Sequence, residues 1–91
     1  MSKNVAYRNA VGKLHHIDGP AIEYVDGRKE WWIDGKRHRL DGPAIEWADG
    51  TKEWCINGQH VTKEINNWLH ENNIQYPFDE DNIVQFKLRW L

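Results

Sequence analysis

Apolar and polar residues alternate along the chain in short runs, and almost every run is closed by Asp-Gly or Asn-Gly. Runs such as Ala21-Ile22-Glu23-Tyr24-Val25 and Lys29-Glu30-Trp31-Trp32-Ile33 are too short for helices, and a period of two marks half-buried strands. The closing dipeptides Asp18-Gly19, Asp26-Gly27, Asp34-Gly35, Asp41-Gly42, Asp49-Gly50 and Asn57-Gly58 fall seven or eight residues apart. They suit two-residue hairpin turns, whose central residues need positive φ. Pro20 and Pro43 directly follow their glycines, where a strand starts and no ladder donor is yet required. The pattern predicts an antiparallel meander of about five or six strands, each of roughly 4 to 6 residues. Alternation puts Ile22, Tyr24, Trp31 and Ile33 on one face, with Ile45, Trp47, Trp54 and Ile56 following suit. That face is expected to be buried.

The meander is a duplication. Gly12 to Asp34 and Gly35 to Asn57 align without a gap, with 15 of 23 positions identical, so one hairpin unit is built twice. A third unit starts at Gly58-Gln59-His60 and stops, and residues 1–11 read as a degenerate last strand of an earlier unit. After Gly58 the period changes. Thr62 can cap a helix, Ile65, Trp68 and Leu69 recur at helical spacing, and Asn72-Asn73 can close it, which predicts a helix over 63–73. A repeat stack needs such an end piece, because an open last strand leaves an unpaired edge. Beyond Tyr76-Pro77, strict alternation from Val84 to Trp90 predicts a final strand over 83–91. A helix started by Asp79 is the alternative, since Ile83, Phe86 and Trp90 also fit spacings of three and four. The expected architecture is one domain over 1–91, mainly β with one short helix: a partial strand in 1–11, repeats at 12–34 and 35–57, then the truncated repeat, helix and strand of 58–91.

Composition narrows the function classes. Ninety-one residues allow one domain. The single Cys cannot form an internal bridge, which excludes a secreted disulfide scaffold and favours a reducing, cytoplasmic setting. A net charge of -2 lacks the basic footprint of a nucleic-acid binder and is too weak for a bulk-charge DNA mimic. No apolar run reaches a membrane span, and Met1-Ser2-Lys3-Asn4 offers no signal-peptide core. A membrane partner is disfavoured further by the absence of a basic amphipathic helix. Six Trp stand out in so short a chain. The duplication accounts for Trp31, Trp47 and Trp54 as core, and Trp68 and Trp90 fit the capping elements. Trp32, on the opposite face, is the exception.

The 23-residue unit, with its run Glu30-Trp31-Trp32-Ile33-Asp34-Gly35-Lys36-Arg37-His38, resembles the MORN repeat (membrane occupation and recognition nexus). The Asp-Gly-Pro step resembles the MORN-like class of bacterial antitoxin-type repeat proteins. The phrase His38-Arg39-Leu40-Asp41-Gly42-Pro43-Ala44 is similar to the repeated motif of small tailed-phage proteins. MORN units usually carry Gly directly after the His, where this chain has His16 and Arg39. The resemblance covers residues 12–61 and implies a β-hairpin repeat used as a binding surface or spacer, without enzymatic activity. Its phage branch implies a host-encoded protein partner and an inhibitory, accessory role.

Two-residue turns would fix the cross-strand partners. The turn at Asp26-Gly27 pairs Glu23 with Glu30, and the turn at Asp34-Gly35 pairs Trp32 with Arg37, Trp31 with His38 and Glu30 with Arg39. A Glu23, Glu30, Arg39 row beside a Trp32–Arg37 cation-π pair would then face a partner, since aromatic and Arg side chains dominate interface energetics. Glu46 and Glu53 repeat the carboxylate pair without its arginine, because Thr62 stands at the position of Arg39. That pair suits a cation, a partner's Lys or Arg, or acid/base work, or is simply a solvated face.

His15, His16, His38 and Arg39 supply donors for a small anionic ligand, with Trp rings to stack on it. His15 and His38 each precede an Asp by three residues, but no three- or four-ligand set exists, so neither a metal nor a cofactor is expected. The nucleophiles are Ser2, Thr51, Thr62 and Cys55. Cys55 falls opposite His60 across the Asn57-Gly58 turn, yet it occupies the place of Trp32 in the other unit, which is a packing position, so no catalytic residue is expected. The function expected from sequence is a non-enzymatic protein-interaction module. Binding of a nucleotide-like anion and self-association through an edge near residues 10–14 are the alternatives.

Overall fold

The computed structural model describes residues 4–91; Ser2 and the first residues of the partial N-terminal strand lie outside them. The chain runs β1 (Val5–Ala6), β2 (Ile22–Glu23), β3 (Lys29–Glu30), β4 (Trp32–Ile33), β5 (Lys36–Arg37), β6 (Ile45–Glu46), β7 (Lys52–Glu53), β8 (Cys55–Ile56), β9 (Gln59–His60), α1 (Thr62–Glu71) and α2 (Glu80–Trp90). It is mainly β, with antiparallel strands and two helices. β1-β2-β3-β6-β7 form one sheet in that order, while β4-β5 and β8-β9 are separate hairpins.

The strands are shorter than the alternation suggests because each long run breaks at a tryptophan. The chain leaves the central sheet after Glu30, turns at Trp31 and enters the next hairpin at Trp32. Trp31 bridges the two layers: its N–H donates to the Ala44 carbonyl at 2.7 Å and its carbonyl accepts from the His38 N–H at 3.1 Å. The hairpins then stack on one another. Gly35 N–H donates to Leu14 O at 2.9 Å, and one unit later Gly58 N–H donates to Arg37 O at 2.8 Å. Residues 8–14 belong to the same stack, since Arg8 bridges Leu14 across a short hairpin of their own.

Of the six dipeptides expected to close hairpins, Asp18-Gly19 and Asp41-Gly42 do not: neither residue has positive φ and no paired strands flank them, and the other four make two different turns. At Asp34-Gly35 and Asn57-Gly58 both residues have positive φ (48° and 80°, 50° and 83°), the two-residue turn expected for a hairpin. At Asp26-Gly27 and Asp49-Gly50 only the glycine does. There the Asp side chain accepts the N–H two residues on, Arg28 or Thr51, each at 2.9 Å. The Thr51 N–H also holds the Asp49 carboxyl below its ordinary pKa. The loop gains a residue: Tyr24 N–H pairs with Arg28 O at 2.9 Å across Val25-Asp26-Gly27. The expected register therefore slips by one. Ile22 faces Glu30 and Glu23 faces Lys29, and likewise Ile45 faces Glu53 and Glu46 faces Lys52. A one-residue slip moves side chains to the other face, so neither the Glu23–Glu30 nor the Glu46–Glu53 pair forms.

α1 begins and ends close to its expected bounds, but Thr62 is its first residue rather than its cap: Val61 holds the cap position with no side-chain hydrogen bond, and Thr62 Oγ1 instead accepts the Trp54 N–H at 2.9 Å. The expected strand over 83–91 is instead α2, so the described residues form two helices rather than one. Asp79 starts it with a capping box: its side chain accepts from Asn82 N–H at 2.8 Å, and the Asn82 side chain accepts from the Asp79 N–H. Burial chose between the two periodicities. Phe86 is fully buried and Ile83 and Trp90 are half-buried, whereas Val84 and Leu88, which a strand would have put inward with Phe86, are 56% and 82% exposed.

Both helices close the second unit with an aromatic cluster. Trp54, Ile65 and Phe86 form its buried centre, and Leu40, Ile56, Val61, Trp68, Tyr76 and Phe78 pack around it. The Trp54 ring lies 5.6 Å from Phe86 and 5.8 Å from both Phe78 and Tyr76. Of the face expected to be buried, Ile45 and Trp54 are core, whereas Ile22, Tyr24, Trp31, Ile33 and Ile56 are half-buried and Trp47 remains 38% exposed, because the helices cover only the part of the second unit around Trp54. Phe86→Ala is expected to cost about 3–5 kcal/mol in urea unfolding, and Leu88→Ala to stay within about 0.5 kcal/mol.

Candidate functional site

The register slip reorganises the charged residues. Glu30, on the central strand β3, is 2% exposed. Its carboxylate accepts from the Trp32 indole N–H at 3.0 Å and from Arg37 Nε at 3.2 Å, with Arg28 Nε at 3.4 Å. Arg37 also lies 5.0 Å from the Trp32 ring, the cation-π pair expected from the Asp34-Gly35 turn. Glu30 is therefore buried beneath Trp32 and Arg37, which are half-buried and joined to it. Outward, the register sets Glu23, Lys29, Glu46 and Lys52 in a row of alternating charge across β2, β3, β6 and β7. Glu53 accepts the Trp47 indole N–H at 2.6 Å.

Arg39 stands apart from Glu30. Its guanidinium lies over the Trp31 ring at 3.8 Å, donates to Asp41 at 2.8 Å and to the Pro43 carbonyl at 3.1 Å, and approaches Glu46 and Tyr76. Gly42 makes this possible, because a Cβ there would meet Arg39 Cζ at 2.7 Å. One unit earlier His16 plays the same part: it stacks on Tyr7 at 4.2 Å and its Nδ1 reaches the Pro20 carbonyl at 3.2 Å.

His15 and His38 are turn staples. His15 Nδ1 accepts the Asp34 N–H at 3.0 Å, and His38 Nδ1 accepts the Asn57 N–H at 2.9 Å. Each holds the left-handed residue of the turn 19 positions on, with its ring proton on Nε2. Burial pushes the His38 pKa down, in keeping with an acceptor nitrogen.

Cys55 and His60 face each other as the turn dictates, with Sγ 3.7 Å from Nδ1. Glu53 approaches that same Nδ1 at 3.8 Å, so no Glu-His-Cys relay through both ring nitrogens exists. Cys55 is 1% exposed and burial raises its pKa, which disfavours the thiolate. Among the described residues, no group of three or more His, Cys, Asp or Glu could hold a metal.

Three of the four ligand candidates, His16, His38 and Arg39, converge on an open cleft of about 760 Å³ between the two units and α2. Its apolar surface comes from Ile17, Trp31, Ile33, Leu40 and Ile83, and Asp18, Asp41 and Lys87 add charge. His15 is outside the lining. Sequence reasoning passed over Ile17, Ile83 and Lys87. The signal available for Ile17 was the duplication itself: it matches Leu40, and the chain has one cap for two units.

Glu30→Ala is expected to cost about 2–4 kcal/mol in urea unfolding, against at most about 0.5 kcal/mol for Glu23→Ala. His38 gives a pH signature. Its folded pKa lies below the ordinary 6.5, so the unfolded chain binds the proton more readily. Its contribution is complete above 6.5, shrinks as pH falls through that value and levels off below the folded pKa. Unfolding at pH 8 and at about pH 5 is expected to differ more for the wild type than for His38→Ala.

Compared with protein-family models, curated proteins and solved structures, the chain matches none.

Proposed function

We propose that this chain is a non-enzymatic protein-binding module whose partner docks in the cleft beside α2. The observation that carries this reading is Ile17, 78% exposed in a cleft that also presents Trp31, Ile33 and Ile83. An exposed Ile beside half-buried apolar side chains, with charged residues at the rim, suits an interaction site. The charges favour a protein over a small anion. Arg39 is already engaged by Asp41 and the Pro43 carbonyl, the Nδ1 of His38 is occupied, and Asp18 and Asp41 oppose Lys87. Hairpins stacked at one-unit intervals support the MORN-like reading of the repeats, and the phage resemblance supplies a host-encoded partner, an inhibitory role and a cytoplasmic setting.

The test is affinity capture from a host lysate with three baits: the wild type, Ile17→Asp and Glu23→Lys. A stoichiometric partner retained by the wild type and by Glu23→Lys, but lost with Ile17→Asp, is the expected result. Loss with Glu23→Lys alone would move the partner to the charged sheet face. A nucleotide-like molecule released from the native protein, with no protein partner, would replace this reading with ligand binding.

A further inference from the structure

We infer that the partner presents an aromatic-bearing helix to the cleft, seated there as α2 is seated one unit further along; the inference rests on the protein-binding reading above. The chain itself displays the occupant that this surface takes. Ile17, Trp31, Ile33 and His38 are the 23-residue equivalents of Leu40, Trp54, Ile56 and Val61. In the second unit that surface is covered. Leu40, Ile56 and Val61 pack with Trp54 against Phe86, and Trp54 is 3% exposed. In the first unit the equivalent residues carry no helix among the described residues: Arg39 lies over the Trp31 ring at 3.8 Å, and Ile17 beside it stays 78% exposed.

The open surface is continuous with the covered one. Leu40 belongs to both, and Ile83 and Lys87 of α2 form one wall of the cleft. A helix placed there would lie alongside α2 and extend the aromatic cluster by one repeat. Charge sets its polarity. Among the described residues neither Asp18 nor Lys87 forms an ion pair, so the matching helix carries a basic residue toward the first and an acidic residue toward the second. His38 and Arg39 stand where the second unit has Val61 and Thr62. The open site is therefore more polar than the capped one and suits reversible binding.

The chain's own cap provides the probe. A peptide of residues 76–91, held helical by a lactam staple between positions 85 and 89, is titrated into the isotope-labelled full chain. Expected are saturable NMR shifts at the Ile17 and Ile33 methyls and the Trp31 indole, with dissociation constants at least about tenfold weaker for the Phe86→Ala peptide and for Ile17→Asp protein. No saturable shift at these groups up to about 1 mM peptide overturns the inference. So do shifts confined to Trp54 and Ile56, which mean that the peptide only exchanges with the resident cap. A dimer in light scattering that is lost with Ile17→Asp puts a second copy in the cleft, and also overturns it. If the peptide fails while Ile17→Asp still abolishes capture, the helix is wrong and the module reading stands. If Ile17→Asp leaves capture intact, the module reading itself fails at this cleft.

Discussion

The carboxylate of Glu30 lies buried at the junction of the central sheet and the stacked hairpins, and four separate pieces of chain have to agree before it is satisfied. β3 supplies the Glu, β4 the Trp32 indole N–H and β5 the Arg37 Nε–H, while Arg28, after the preceding turn, adds its charge at 3.4 Å without a hydrogen bond. A carboxylate that is 2% exposed is tolerated only with donors of this strength around it. The constraint propagates outward. It requires the three-residue loop at Val25-Asp26-Gly27, because a two-residue turn would leave Glu30 on the other face. It also draws the hairpin β4-β5 back over the sheet, which forces the bend at Trp31 and so creates one wall of the cleft.

The second unit supports this account through its differences. Where Glu30 has Arg28, Trp32 and Arg37, Glu53 has Thr51, Cys55 and His60. The donor set is exchanged as a group, and the carboxylate is correspondingly more exposed, 32% against 3% for its side chain. Tyr24 is replaced by Trp47, whose indole supplies the hydrogen bond to Glu53. Trp32 and Cys55 thus differ because their carboxylates sit in different surroundings. The single helical cap has a second consequence. It buries Trp54, whereas in the first unit Arg39 lies over the half-buried Trp31 and Ile17 stays exposed, so a duplicated core yields one face closed by helices and one that is only partly covered.

Much of this was legible in the sequence. The duplication, the antiparallel hairpins, the pairing of Trp32 with Arg37 and of Cys55 with His60, and α1 follow from spacing and turn chemistry alone. The register of β2-β3 and β6-β7 did not. Asp26-Gly27 and Asp34-Gly35 are the same dipeptide, and what separates them is a histidine 19 residues upstream that takes the Asp34 N–H, a long-range contact that no local rule contains. α2 was ambiguous for a different reason. Val84 to Trp90 satisfies two periods at once, and only the aromatic cluster around Phe86, together with the Asp79 cap, decides between them. Of the site residues, His16, His38 and Arg39 were found as donors. Their convergence on a cleft depends on the bend at Trp31 and on α2, neither of which the strand pattern shows.

The register of β2 against β3 is the central claim, and backbone NOEs in the isotope-labelled protein measure it directly. Cross-strand contacts between Ile22 and Glu30 and between Glu23 and Lys29 are expected, together with a Trp32 indole proton protected from exchange. Contacts between Glu23 and Glu30, with an unprotected Trp32 indole, would contradict that register.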